Sequence, residues 1–194
     1  MTRITKLAAL APALLLGGCL NLGGDVPDSL LTLTPASMAP AGSGASGAQG
    51  DALVLSEFET PKELDVTRVP VQMSDTEIAY LKDAVWVERP SRLFRRLLAE
   101  TIRTRANRVV IDGDDPGVSA ADRLQGTLRA FGYDARTREA VVVFDAVRNG
   151  TASAVTTRRF EARVPVAAAE TAFVGPALNQ AANDVAGQVA DWLG

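Results

Sequence analysis

A two-layer α+β fold, with one mostly antiparallel mixed sheet and two helices packed on one of its faces, follows from three observations in this chain of 194 residues. Two segments, one central and one C-terminal, carry apolar residues at helical spacing. Three consecutive long segments in the second half read as strands, two alternating and one apolar almost throughout. The connections between those three have hairpin lengths. A strand–helix–strand half followed by a meander and a second helix closes as a sheet with helices on one face.

Taken in order, Ser29-Leu30-Leu31-Thr32-Leu33-Thr34 reads as a short strand, and residues 35–50 contain almost nothing but Gly, Ala, Ser and Pro. That composition buries too little apolar surface to repay ordering entropy, so a flexible linker is expected there. Ala52–Leu55 opens the folded domain as a strand, and Val69–Met73 is an extended edge piece interrupted by Pro70. Glu77–Leu81 is a further strand running toward Ala84–Val87. Pro90 suits a first helical turn, after which Leu93, Phe94, Leu97, Leu98 and Ile102 make one stripe against an arginine-rich opposite face. Asn107–Ile111 is a short strand before an acidic turn.

The meander comprises Arg123–Tyr133, Ala140–Val147 and Ala154–Val166. Strict alternation in the first of these puts Leu124, Leu128 and Ala130 toward the helices and sends Phe131 and Tyr133 to the opposite face. The Ala140–Val147 run is the pattern of a central strand, and Asn149-Gly150 supplies a favoured hairpin pair. In the closing helix Leu178, Ala182, Val185, Val189 and Trp192 share a stripe, with Pro176 expected in the first turn.

The N-terminus carries a different signal. Arg3 and Lys6 precede an apolar run, Leu7–Leu16, too short to span a bilayer, and small residues follow. Leu16-Gly17-Gly18-Cys19 resembles a bacterial lipobox, which implies cleavage before Cys19 and acylation of its thiol. Cys19 is the only cysteine, so no disulfide partner or cysteine-rich metal site competes for it. Each buried methylene adds about 0.8 kcal/mol of membrane affinity, so two or three chains give a lasting anchor. Leu20, rather than an aspartate, after the cysteine resembles the outer-membrane sorting pattern. The expected layout is therefore signal peptide 1–18, lipidated N-terminus with a short strand 19–34, linker 35–50 and a single domain over 51–194.

Composition narrows the chemistry. The chain has 20 Lys+Arg against 23 Asp+Glu; without Arg3 and Lys6 this becomes 18 against 23, a net charge of −5. An acidic chain does not suit nucleic acid or electrostatic membrane binding. Histidine is absent, which excludes Ser-His-Asp and Cys-His catalysis and HExxH zinc sites. Lys62 and Lys82 are the only lysines beyond the signal, and neither sits in a motif. Carboxylate chemistry alone is left, but most acidic residues neighbour basic ones or turns and read as solvated surface. No enzyme, metal site or cofactor is expected beyond the covalent lipid on Cys19.

With the lipobox, the short x-L-x-L strand, the Val69-Pro70-Val71 segment, Ile78-Ala79-Tyr80, Trp86 and the Leu97-Leu98-Ala99-Glu100 helix in place, the chain resembles the auxiliary lipoproteins of ABC-type lipid transport systems, the PqiC-like group. The resemblance covers about Leu30 to Trp192 and is most specific over Val69–Leu98. It implies a non-catalytic lipoprotein at the periplasmic side of the outer membrane. Such a protein would dock or guide an MCE-domain (Mla/Pqi-type) lipid conduit, alone or as a homo-oligomeric ring, with the ATPase and permease on other polypeptides. The long linker at 35–50 departs from the pattern and leaves the anchor geometry open. Partner contacts are sought at Tyr80, Trp86, Phe131 and Tyr133; equally, Tyr80 and Trp86 read as core residues, and Phe131 and Tyr133 as covered by a second layer such as the 28–34 strand or a neighbouring subunit. A lipid shuttle on a flexible tether, an outer-membrane assembly lipoprotein and a carboxylate hydrolase are the competing functions.

Overall fold

Seven strands form one mixed sheet in the computed structural model, which describes residues 29–44, 46–47, 52–106, 108–113, 122–150 and 154–194. Cys19 and the rest of the signal region, like the acidic turn and the tip of the Asn149-Gly150 hairpin, lie outside the described residues. The elements run β1 (Leu53–Leu55), β2 (Arg68–Gln72), β3 (Ile78–Val85), α1 (Pro90–Ala106), β4 (Val110–Asp112), β5 (Asp122–Asp134), β6 (Glu139–Asn149), β7 (Val155–Pro165) and α2 (Thr171–Leu193).

β5 is the hub. Its start pairs in parallel with β1, which pairs in parallel with β4, and its end pairs in parallel with β2 through Val71↔Tyr133. β2 and β3 are antiparallel. The other edge of β5 carries β6 along its whole length, and β6 carries β7, both antiparallel. The expected α+β architecture is thus present, with parallel pairings concentrated on the β1/β2 side.

Both helices pack on one face. Phe94 of α1 meets Phe144 of β6 edge-on at 5.3 Å, and Phe160 of β7 meets Trp192 of α2 at 5.6 Å. One continuous core, in which Leu53, Leu98, Leu124, Phe144 and Val185 are completely buried, fills the space between the layers. At the C-terminal end of α2, buried Asp122 accepts from Arg108 and Arg148, and Arg148 also donates to the Leu193 carbonyl. Burial pushes the Asp122 carboxyl up, but the two guanidiniums outweigh it and hold it below the ordinary carboxylate value.

Two expectations change. α2 begins at Thr171, so Pro176 lies inside the helix rather than in its first turn. Its missing N–H leaves the Ala172 carbonyl without its helical donor, a loss confined to the solvent-facing start of the helix. The second change concerns the segment expected to be a free linker. Thr34 and Ala36 donate their N–H groups to Asn179 and Asn183 of α2 (2.8 and 2.7 Å), and Ala39 donates to Glu100 of α1 (2.7 Å). Asn183 in turn donates to the Thr34 carbonyl. Gly, Ala and Ser supply no side chains to pack here, so the helices hold the backbone itself as a strap.

Candidate functional site

Alternation along β5 breaks at one residue. Leu128 lies opposite Phe144 and Ala130 opposite Val143, so Arg129 is an extra residue, a β-bulge. After it the phase reverses: Phe131 and Tyr133 lie opposite Val142 and Ala140 and are buried in the core, 1% and 4% exposed. The expectation that they stand on the face away from the helices is therefore corrected. Uninterrupted period-2 counting carries a strand past a bulge on the wrong face. Trp86, 1% exposed, is likewise buried; its ring meets Phe131 edge-on at 5.4 Å. Its indole Nε1 is a buried donor with no hydrogen-bond partner among the described residues. Of the four aromatics, Tyr80 alone lies on the helix-free face. It is opposite Pro70 and half-buried, and the Arg68 guanidinium stacks 4.4 Å over its ring.

That helix-free face is the candidate site. An open concavity of about 350 Å³ crosses β2, β5 and β6. Its floor is apolar: Pro70, Ile78, Ala130, Gly132, Val141 and Val143. Gly132 is required there, because a Cβ would run into the Pro70 carbonyl on the neighbouring strand. The rim is ionic. Arg136 donates to Asp134 (2.8 Å) and pairs with Asp75, and that guanidinium holds the Asp134 carboxyl at about 2. Along the strands, Arg159 and Arg129 clamp Asp145 at 2.6 and 2.9 Å and hold it at about 2 as well. Arg163 bridges Glu161 and Glu139.

Sequence reasoning placed none of these floor residues in a site. A signal was present in the run Ala140-Val141-Val142-Val143-Phe144, which is apolar on both faces although helices cover only one. The face offers an apolar floor inside an ionic rim, where Asp134, Asp145, Glu139 and Glu161 each pair with an arginine. Among the described residues no cluster of three or more potential metal ligands occurs, and no helix is long and apolar enough to cross a membrane.

Fold and site together define a two-layer α+β domain that keeps one sheet face open. The chain belongs to the family of ABC-type transport auxiliary lipoprotein components, whose model matches residues 31–190. Among solved structures it is similar to a Xanthomonas campestris protein of family DUF330, with TM-score 0.72 at 16% identity, covering 85% of this chain and 94% of that one. It is also similar to an uncharacterized protein, with TM-score 0.66 at 14% identity, covering 86% of this chain and 100% of that one. These likenesses concern the fold. No curated protein matches the chain.

Proposed function

We propose that this chain is a non-catalytic, lipid-anchored subunit of an ABC-type lipid transport system. It is held at the outer membrane by acylated Cys19 and docks an MCE-domain conduit through the helix-free sheet face. One observation carries the reading: Val141 and Val143, with Ala130, Gly132 and Pro70, build an apolar floor on a sheet face that no described layer covers. Membership of a transport auxiliary family supplies the setting. The strap weighs against a roaming carrier, because the domain is already fixed to its N-terminal segment at Leu31, twelve residues after Cys19.

The test is to isolate full-length lipidated protein from native membranes and identify what accompanies it. Recovery of an MCE-domain protein with its ATPase and permease, lost in Val143→Glu, supports the reading; Ala130→Glu serves if that variant does not fold. Recovery of an outer-membrane barrel, or of no MCE protein, overturns it.

A further inference from the structure

β7 ends the sheet: it pairs with β6 and, among the described residues, with no other strand. Its backbone phase is fixed at both ends. The Val166 N–H donates to the Arg138 carbonyl and the Gly150 N–H to the Ala154 carbonyl, both at 2.9 Å, so even-numbered residues face β6. Gln188 of α2 donates to the Glu161 carbonyl (3.2 Å), an odd-numbered group that β6 does not use. Val155, Thr157, Arg159, Glu161 and Arg163 therefore point their N–H groups away from the sheet, and no described group accepts from them. All five residues are exposed. The strand is 11 residues long and has no bulge, and its proline stands at the last position, Pro165. The sheet's other margins are blunted. β4 has three residues, and β3 is broken by Asp83 at φ 55° and meets Leu31 near its end.

We propose that β7 is a pairing edge for a second copy of this chain, joined antiparallel about a two-fold axis through Phe160. Charge fixes the register. Phe160 is the midpoint of β7, so with Phe160 opposite itself all 11 residues pair. Arg159 then stands opposite Glu161 of the second copy, Thr157 opposite Arg163 and Arg158 opposite Ala162. An axis at 158, 159 or 161 would set Arg158, Arg159 or Glu161 against itself, and one at 162 leaves residues 155–158 unpaired. In the matched register outward N–H groups of each copy meet outward carbonyls of the other, because odd-numbered residues oppose odd-numbered ones. The helix layer fits as well. α2 lies over β6 and β7 alike, so the two α2 axes would stand about two strand spacings apart, roughly 10 Å, a helix-packing distance. Strand and helix layers, each about 10 Å deep and about 36 Å long, give roughly 700 Å² per copy, near the ~800 Å² of a stable interface. A foreign strand would gain the backbone bonds without these matched charges. The contact is closed, so it makes a pair and not a ring or a fibre. Its axis stands perpendicular to the sheet, so both helix-free faces open on the same side, whatever they dock.

The test uses the full-length chain in detergent. Sedimentation equilibrium should show monomer and dimer in exchange. Thr157→Pro should raise the dimer Kd about 100-fold with an unchanged circular dichroism spectrum, because it removes an outward N–H from both copies and leaves the β6 ladder whole. If that variant does not fold, Arg158→Cys/Ala162→Cys reads the same contact. Positions 158 and 162 lie about 13 Å apart within one strand, too far for a disulfide, but about 4.5 Å apart across the axis. Oxidation should therefore give a covalent dimer whose peptide map joins 158 to 162. A monomer at every concentration overturns the inference, as does an oligomer that Thr157→Pro leaves unchanged. A cross-link from position 158 to another protein in native membranes, without the 158–162 bridge, overturns it in favour of a foreign strand.

Discussion

Deleting Arg129 should leave this protein folded, whereas deleting Gln125, four residues earlier in the same strand, should unfold it. Arg129 is the extra residue of the bulge. Without it β5 alternates regularly, and Leu128, Phe131 and Tyr133 all keep facing the helices. The losses are the Arg129–Asp145 ion pair, 56% exposed on the arginine side, and some local twist, together about 1 kcal/mol. Gln125 lies in the regular part of the strand, opposite Val147. Its deletion restores the inward phase of Phe131 and Tyr133 only by turning Leu128 outward and Thr127 and Arg129 inward. Removing fully buried Leu128 from the core costs about 2–5 kcal/mol. An unpaired arginine in its place costs several kcal/mol more, which matches the whole stability of a typical domain. Urea unfolding followed by tryptophan fluorescence and near-UV circular dichroism distinguishes the two. A cooperative transition with unchanged m is expected for the Arg129 deletion and none for the Gln125 deletion. Equal damage from both would refute the bulge and with it the inward placement of Phe131 and Tyr133.

The remaining predictions concern the charges and the strap. Asp134 and Asp145 are held at about 2 against an ordinary 3.8, so their contribution to stability is complete above pH 4 and is lost as pH falls toward 2. Screening by the exposed arginines limits it to about 1 kcal/mol each, and the double Asp134→Asn/Asp145→Asn variant should show a shallower fall of the urea midpoint over that range. Asp122→Asn should cost about 3 kcal/mol in urea unfolding, because it removes the buried negative charge that Arg108 and Arg148 share near the end of α2; a loss below about 0.5 kcal/mol would contradict that role. Asn183→Ala should speed amide hydrogen exchange at Ala36 about fivefold and leave core amides unchanged, since it removes a contact worth about 1 kcal/mol from the strap alone.

Much of the fold was legible because burial is periodic. The stripe Leu93, Phe94, Leu97, Leu98, Ile102 and the alternation Phe160, Val164 each report one buried face, and both elements stand where those patterns put them. The parallel pairings of β1 and β2 with β5 left no local trace, since short apolar strands look alike whichever neighbour they take. The bulge was invisible for a related reason: Leu128-Arg129-Ala130-Phe131 reads as continued alternation, with small Ala130 passing for either face. The strap was misread on composition. Gly, Ala and Ser predict low burial of side chains, but backbone amides need only acceptors, and Asn179, Asn183 and Glu100 provide them from outside the segment.

Strap and bulge act on opposite sides of the molecule. The strap lies on the helices and the chain enters beside Trp86 and Gly175, on the helix side of β3. The bulge works on the other side: it directs Arg129 and Ala130 together onto the open face, where one extends the ionic rim and the other the apolar floor. Had β5 stayed regular with Arg129 present, Phe131 and Tyr133 would occupy that floor, and the groove between β2 and β6 would be filled by the chain's own aromatics.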